Sequence, residues 1–543
     1  MAEEKNLSPL LARLIQDYWQ AIEKSRQKKQ EATVNVDEIA SKLAVFYEKV
    51  RKVVDWKEEN LIRRSAIERY LRRQLVGEIS QFSLKKNINS QEVAETIVAD
   101  LVRGGYLKNG QVPQSKIGEV KNILERYLFL LNLLSRQLSE KEVKERVNQS
   151  VWLFSQAACE IEKTLDPSFR QDLLINFMFD SLKTRLRLDP QLKIEPQEAE
   201  VQLYIAVCQS LFSLDEAEIT SRLLPLYYPQ WQNPDESLNI RQIKEEIAQK
   251  FNHPLASQWQ KICRQEKAIF LILSDIFKEK EKEAKNFQEF WEQFAVPDNF
   301  QAAVEEAYQK RFSTLKSRLF RTAIYSTLSI LIASLFSLLI LEFPLAKLIY
   351  GQFLPLAMII DILVPTLLMF LLVALIRPPK EENYQRLEQK IFQLAYEEGG
   401  ESYFLKPSRP QGFLSKGLLA FLYLFAAVLG IGSIVGIFYF AKVPPTSIIL
   451  DTINVAMIIF AALSIRQSAK EIDVDEKESF FEFFLDTLFV PVGRLGQWFS
   501  QKWREYNVAS VFLSVLVDLP FSSLVTFVED WRAFLREKQA GIH

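Results

Sequence analysis

Histidine is almost missing from this sequence: His253 and His543 are the only two in 543 residues. Neither has a Cys or a second His at metal spacing, so zinc chemistry built on imidazole has no ligand set. His253 stands in the turn Phe251-Asn252-His253-Pro254 and reads as a surface residue. Cysteine is as thin. Cys159, Cys208 and Cys263 are single and far apart, which offers no disulfide framework and fits a reducing compartment. Phosphate loop, zinc-protease helix and nucleophile elbow are all lacking. An enzyme is therefore not expected, and no cofactor or metal is.

A charge of one sign is also wanting. The 67 basic and 68 acidic residues leave a net charge of −1, so no overall field draws nucleic acid or acidic substrates. The opening stretch MAEEKNLSPLLARL lacks the charged-then-apolar order of a secretory leader. The first apolar run is then expected to act as the insertion signal.

What the chain does have is four long apolar runs. Thr322 to Leu341 is uncharged; Pro355 to Ile376 is broken only by Asp361; Gly417 to Ala441 is uncharged; Pro445 to Ile465 is broken only by Asp451. At about 1.5 Å per residue, twenty residues cover roughly the 30 Å of a bilayer's hydrocarbon core. Runs this long without alternation are helices, which satisfy their own backbone in lipid. The expected region is four transmembrane helices in two tandem hairpins. The second helices of the hairpins look alike, PLAMIIDILVP beside PTSIILDTINV, each with Asp six residues after Pro.

Lys310, Arg311, Lys316, Arg318 and Arg321 precede the first run, Arg377 to Lys416 supply seven basic residues between the second and third, and Arg466 and Lys470 follow the fourth. The hairpin tips hold only Lys347 and Lys442. The positive-inside rule then places both termini and the central loop in the cytoplasm, the chain being a multi-pass protein of the cytoplasmic membrane.

The fold class read from the pattern is all-α. Residues 1–318 form a multi-helix cytoplasmic domain, 319–377 the first hairpin, 378–415 a cytoplasmic loop, 416–466 the second hairpin, and 467–543 an amphipathic, aromatic-rich tail on the membrane. Ser8-Pro9 opens a first helix, Asn35 a second, Ser90 a third that stops at Gly104-Gly105, and Ser139 with Glu142 a capping-box start. Proline at 167, 196 and 234 breaks the later helices. Trp152, Phe154, Phe177, Phe179, Tyr204, Leu211 and Phe212 are expected inside. From Pro297 no breaker stands before Glu342, so one helix of roughly 65 Å should join the cytoplasmic domain to the first span.

Four sets of residues are candidates for a role. Asp361 and Asp451 are intramembrane carboxylates, the kind that line cation paths, although each stands near the outer edge of its run where it can reach headgroups. Ala426, Gly430, Gly432 and Gly436 form a small-residue seam for close helix packing. Arg63, Arg64, Arg69, Arg72 and Arg73 crowd one helix; they suit anionic lipid or a partner, or else a solvated face paired with Glu58, Glu59, Glu68 and Glu78. Trp498, Trp503 and Trp531 sit beside basic residues, as at a headgroup boundary. The tail is expected to break near Pro491 and Pro520 and lie on the cytoplasmic leaflet, with two alternatives: Val508 to Val528 as a fifth span, or an aromatic face packed on the chain's own membrane helices or on a second protomer. The function these readings favour is a membrane scaffold or anchor that presents its helical domain to other proteins or to further copies of itself. The rival is a transporter or channel component with Asp361 and Asp451 near its outer mouth.

Overall fold

The structure is a computed structural model describing residues 6–27, 32–36, 42, 45, 59–79, 88–138, 142–192, 194–339, 344, 355–376, 381–397, 401–407, 413–443, 445–474, 480–505, 527, 531, 534, 535 and 538. The helix expected after Asn35, the hairpin tip near Lys347 and the tail stretch 508–526 lie outside these residues. The described chain is helical throughout, apart from one pair of three-residue parallel strands, β1 (Leu186–Leu188) and β2 (Tyr403–Leu405). It divides into two units.

One unit comprises residues 14–179 and 194–260, with 507–543. Its core is built by α2 (Glu59–Ile79), α3 (Ser90–Arg103), α4 (Ser115–Gln137) and α5 (Val143–Leu165). Their apolar stripes, among them Ile67, Leu71, Ile97, Leu101, Leu124, Leu134, Leu153 and Ile161, are fully removed from solvent. Burying each such side chain is worth about 1.5–3 kcal/mol. Helix starts follow local chemistry. The Asn89 side chain accepts from the backbone N–H of Gln91 and Glu92 at the head of α3, so the cap stands one residue before the expected Ser90. That helix closes at Gly104-Gly105, where Gly105 takes φ +73°, a conformation that costs glycine nothing. After α6 (Phe169–Arg185) come α7 (Pro196–Phe212), α8 (Glu216–Tyr227) and α9 (Ile240–Phe251); Asp215 and Asn239 cap the last two. Of the aromatic and leucine residues expected inside, Phe154, Phe177 and Leu211 are buried and Trp152, Phe179, Tyr204 and Phe212 half-buried. Trp231, which periodicity did not single out, is the innermost aromatic, edge-on to Tyr127 and Trp152 at 6.1 and 5.7 Å.

A pH response follows from α5. Burial pushes the Glu162 carboxyl up to about 7 from an ordinary 4.5, against the opposing pull of Arg63 and Arg64. A carboxyl raised on folding binds its proton more tightly in the native state, so its stabilising share is complete below the unfolded value and lost as pH rises through the folded one. Unfolding free energy should therefore fall by up to about 3 kcal/mol between pH 4.5 and 8 through this one group. In Glu162→Gln that component should vanish, as measured by thermal unfolding across pH.

The other unit comprises residues 1–13, 180–193 and 261–506. Here α10 (Ala256–Glu283) and α11 (Phe287–Ala295) precede the element that organises it, α12 (Pro297–Ser337), one unbroken helix of 41 residues. At 1.5 Å per residue it is roughly 60 Å long. Its first half has a buried face, with Phe300, Ala303, Val304, Ala307, Tyr308 and Leu315 packed inside. Phe300 sits among the rings of Phe294, Phe392 and Tyr396 at 5.8, 5.5 and 5.9 Å. Its second half packs one face, through Ala323 and Ile330, on the core around Met369 and Val373, and leaves the rest open: Phe320, Ile324, Tyr325, Leu328, Ile332, Leu335 and Phe336 are all exposed, Phe320 by 68%. A soluble protein does not leave such a sleeve of large apolar side chains in water.

Beyond it come α13 (Pro355–Ala374), α14 (Glu381–Tyr396), α15 (Phe413–Phe440), α16 (Pro445–Ala469) and α17 (Phe480–Glu505). Among the described residues three helices are long and apolar enough to cross a membrane: α12 within Pro297–Phe336, α15 over Gly417–Phe440, and α16 with its following turn over Ile448–Ile472. The expected fourth is a correction. Among the described residues the corresponding apolar stretch is Ile359–Ala374 of α13, shorter than the other three, so three candidates stand where four were expected. The helix stops at Ala374, short of the Pro378-Pro379 pair, and a residue before proline is driven out of the helical region. A second correction concerns Pro491, which lies inside the continuous α17 and does not break it.

Candidate functional site

The buried polar groups of the apolar helices form the candidate site. Pro355 opens α13 and Pro445 opens α16, where a missing N–H costs nothing. Asp361 and Asp451 follow at the same distance along each. The two helices pack along one another: Ile360 and Val364 share a core with Ile448 and Val455, and further on Met369 and Val373 share one with Ile458 and Ala462. They therefore run in the same direction and in register. Both carboxylates are interior, Asp361 at 6% and Asp451 at 2% exposure. Nothing in a single helix's hydropathy shows this; it follows from the pairing of the two prolines' helices.

The small-residue seam is only partly where the sequence puts it. Ala426 is buried, and Gly430 lets α17 approach so closely that an added Cβ would stand 2.7 Å from Val492. A Cβ added at Gly432 or Gly436 would meet nothing within 4 Å, so among the described residues the GxxxG pair shows no close helix approach. The glycines that do are Gly493 and Gly496 of α17. A Cβ on Gly493 would stand 2.7 Å from Leu463, and one on Gly496 would enter the backbone of Ala456. At one end of this contact Arg466 and Asp486 form an ion pair at 2.5 Å, and Arg494 lies over the Tyr423 ring at 5.5 Å.

Where the apolar helices meet the polar part of the same unit, charges lock the elements together. Arg311 of α12 donates to Asp275 of α10 and, at 2.6 Å, to Glu471 in the turn after α16. Arg318 reaches the other oxygen of Glu471 at 3.3 Å. Asn383 of α14 donates to the Ile472 carbonyl at 2.7 Å and accepts from the Val474 N–H at 2.9 Å. Close by in the chain's polar part, Glu266 is 1% exposed. It accepts from Arg185 at 2.7 Å and from the Tyr403 hydroxyl at 2.5 Å. Burial, and then the Glu266 carboxylate, push that hydroxyl well above the usual tyrosine range. Arg185 and Glu266 line a cavity of about 420 Å³ with Ser8, Arg187, Lys390 and Ser402.

The α2 arginines are engaged within their own unit. Arg63 pairs with Asp166 at 2.5 Å, Arg64 with Asp215, Arg72 with Glu68 at 3.8 Å and Arg73 with Asp100, while Arg69 lies over Tyr70 at 5.6 Å. Arg64 is buried beside the Cys159 thiol, which burial pushes far above its ordinary range, so this cysteine is not poised as a nucleophile. Trp498 is exposed beside Phe499, and Trp531 is exposed and stacked on Phe527 and Phe534; the Trp503 side chain lies outside the described residues. Among the described residues no group of three or more His, Cys, Asp or Glu could hold a metal ion. No family model, no curated protein and no solved structure matches the chain.

Proposed function

We propose that the chain is an integral membrane anchor that holds a helical cytoplasmic domain rigidly at the bilayer and presents it to protein partners. The observation that carries this reading is α12, one helix with a buried face in its first half and a broad exposed apolar surface in its second. Lysines and arginines crowd the polar ends of the apolar helices, which supports a cytoplasmic position for that domain. The bare faces of α12 and α15 meet lipid.

A second reading has its own support. Two interior carboxylates, level with each other on parallel apolar helices, are costly in lipid and are commonly kept for a cation or proton path. One experiment separates the two. In proteoliposomes carrying a proton or potassium gradient, an anchor leaves the gradient intact, and Asp361→Asn and Asp451→Asn change nothing. A transport component dissipates it, and either substitution slows that at least tenfold. The first outcome supports the anchor; the second replaces it.

A further inference from the structure

One face of α12 has the polarity of a phospholipid laid along it. Thr314, Arg318, Arg321, Tyr325, Leu328 and Ile332 follow one another at alternating steps of four and three residues, and all six are exposed. From first to last is about five turns, so they form one straight stripe about 27 Å long. The stripe lies on the opposite side of the helix from Ala323 and Ile330, which pack on the core around Met369 and Val373.

Its chemistry changes along that length. From Gln309 to Arg321 the helix carries Lys310, Arg311, Lys316, Arg318 and Arg321 and no acidic residue. Lys310 and Arg311 are held by Glu279 and Asp275 of α10. Arg318 reaches Glu471 at 3.3 Å, yet its side chain stays 54% exposed. Arg321 makes no ion pair among the described residues. Two guanidiniums three positions apart on one helix face can close on a single phosphate, whose oxygens match the arginine fork in pairs. One turn further stands Tyr325, an exposed ring with a polar tip, the kind of side chain that sits at headgroup level. Past it Leu328 and Ile332 offer hydrocarbon alone. Arg321 to Ile332 covers about 17 Å, roughly one leaflet of a core about 30 Å thick.

We propose that this stripe is a binding site for an anionic phospholipid. Arg318 and Arg321 hold the phosphate, Tyr325 lies beside the glycerol, and one acyl chain runs along Leu328 and Ile332. Charge selects the headgroup. A zwitterionic lipid brings an ammonium group toward two guanidiniums, and the Glu471 carboxylate beside them is already shared by Arg311 and Arg318. A headgroup with a net negative charge meets no such repulsion.

The proposal rests on α12 entering a bilayer, and the test separates the two claims. Ser329→Cys, exposed and next to the stripe, carries a bimane fluorophore in the full chain, whose native Cys159, Cys208 and Cys263 are all buried. The labelled protein is reconstituted in phosphatidylcholine bilayers containing increasing fractions of either phosphatidylglycerol or phosphatidylcholine with brominated chains. Half-quenching by the brominated phosphatidylglycerol is expected at a mole fraction about fivefold lower, the share that one basic residue contributes at an anionic surface. Arg321→Gln should remove most of that difference. Lys316→Gln takes away the same charge at nearly the same depth but from another face, and should leave it unchanged. Both side chains are exposed, so neither substitution should disturb the fold. Millimolar inorganic phosphate should not restore the fluorescence. Equal quenching by the two lipids in the parent, equal losses in the two variants, or displacement by phosphate would each overturn the lipid site. No quenching by either lipid would overturn the entry of α12 into the bilayer, and this proposal with it.

Discussion

Gly496→Ala should dislodge α17 from α16. A methyl group at this position enters the carbonyl of Ala456 and comes within 2.8 Å of the Met457 nitrogen. These are backbone atoms of a helix already packed on α13, so no rotamer change makes room. Overpacking costs about 1–3 kcal/mol where side chains can adjust, and the upper end or beyond is expected where they cannot. Gly432→Ala is the matched control. Its methyl meets nothing within 4 Å, and an added methyl in open space should stay within about 0.5 kcal/mol of the parent. Thermal unfolding in detergent, with limited proteolysis after Glu505, reads both. Equal stability of the two variants would mean that the close pairing of α16 and α17 does not exist.

Arg185→Met carries the other large effect. Glu266 is a carboxylate with almost no solvent contact, and Arg185 supplies the charge that makes its burial tolerable. The Tyr403 hydroxyl and the Lys390 ammonium, 4.0 Å away, remain at its other oxygen but do not replace the close guanidinium contact. Removing one member of a buried pair typically costs about 3–5 kcal/mol because the other is left charged and dry. The double variant Arg185→Met/Glu266→Gln should recover much of that loss, since an uncharged amide needs no counter-ion. A single variant as stable as the parent would show that water reaches Glu266.

The helices themselves were legible, because apolar period, proline and Asn or Asp caps act within a few residues. The Gly104-Gly105 stop and the Pro196 start needed nothing else. The long apolar runs were legible as well, except that α13 ends at Ala374 where a run counted by composition continues to Ile376. What the sequence could not show is which faces meet. GxxxG at Gly432 looks like a seam on paper, yet Gly430, Gly493 and Gly496 are the glycines that bear close approach, and only the position of α17 reveals it. The aromatic tail fitted both a helix resting on lipid and one packed on the chain's other apolar helices, because amphipathicity alone does not distinguish the two. The arginines of α2 illustrate the same limit. Glu68 lies one turn from Arg72 and could be anticipated, but Asp166 and Asp215 are 103 and 151 positions away from Arg63 and Arg64. Likewise Arg185 and Glu266 are 81 apart, so neither composition nor spacing points to that buried pair.

Everything else depends on α12 being a single rod that starts in water and ends in lipid. Spin labels at the exposed positions Ala302 and Ser329, in the full chain reconstituted in bilayers, address both halves of that statement. Twenty-seven residues of unbroken helix set a separation of about 40 Å, so one narrow distance distribution near that value is expected. The Ser329 label should be relaxed by lipid-soluble oxygen and the Ala302 label by a water-soluble metal chelate. A broad distribution, or a Ser329 label as open to the chelate as Ala302, would contradict the account.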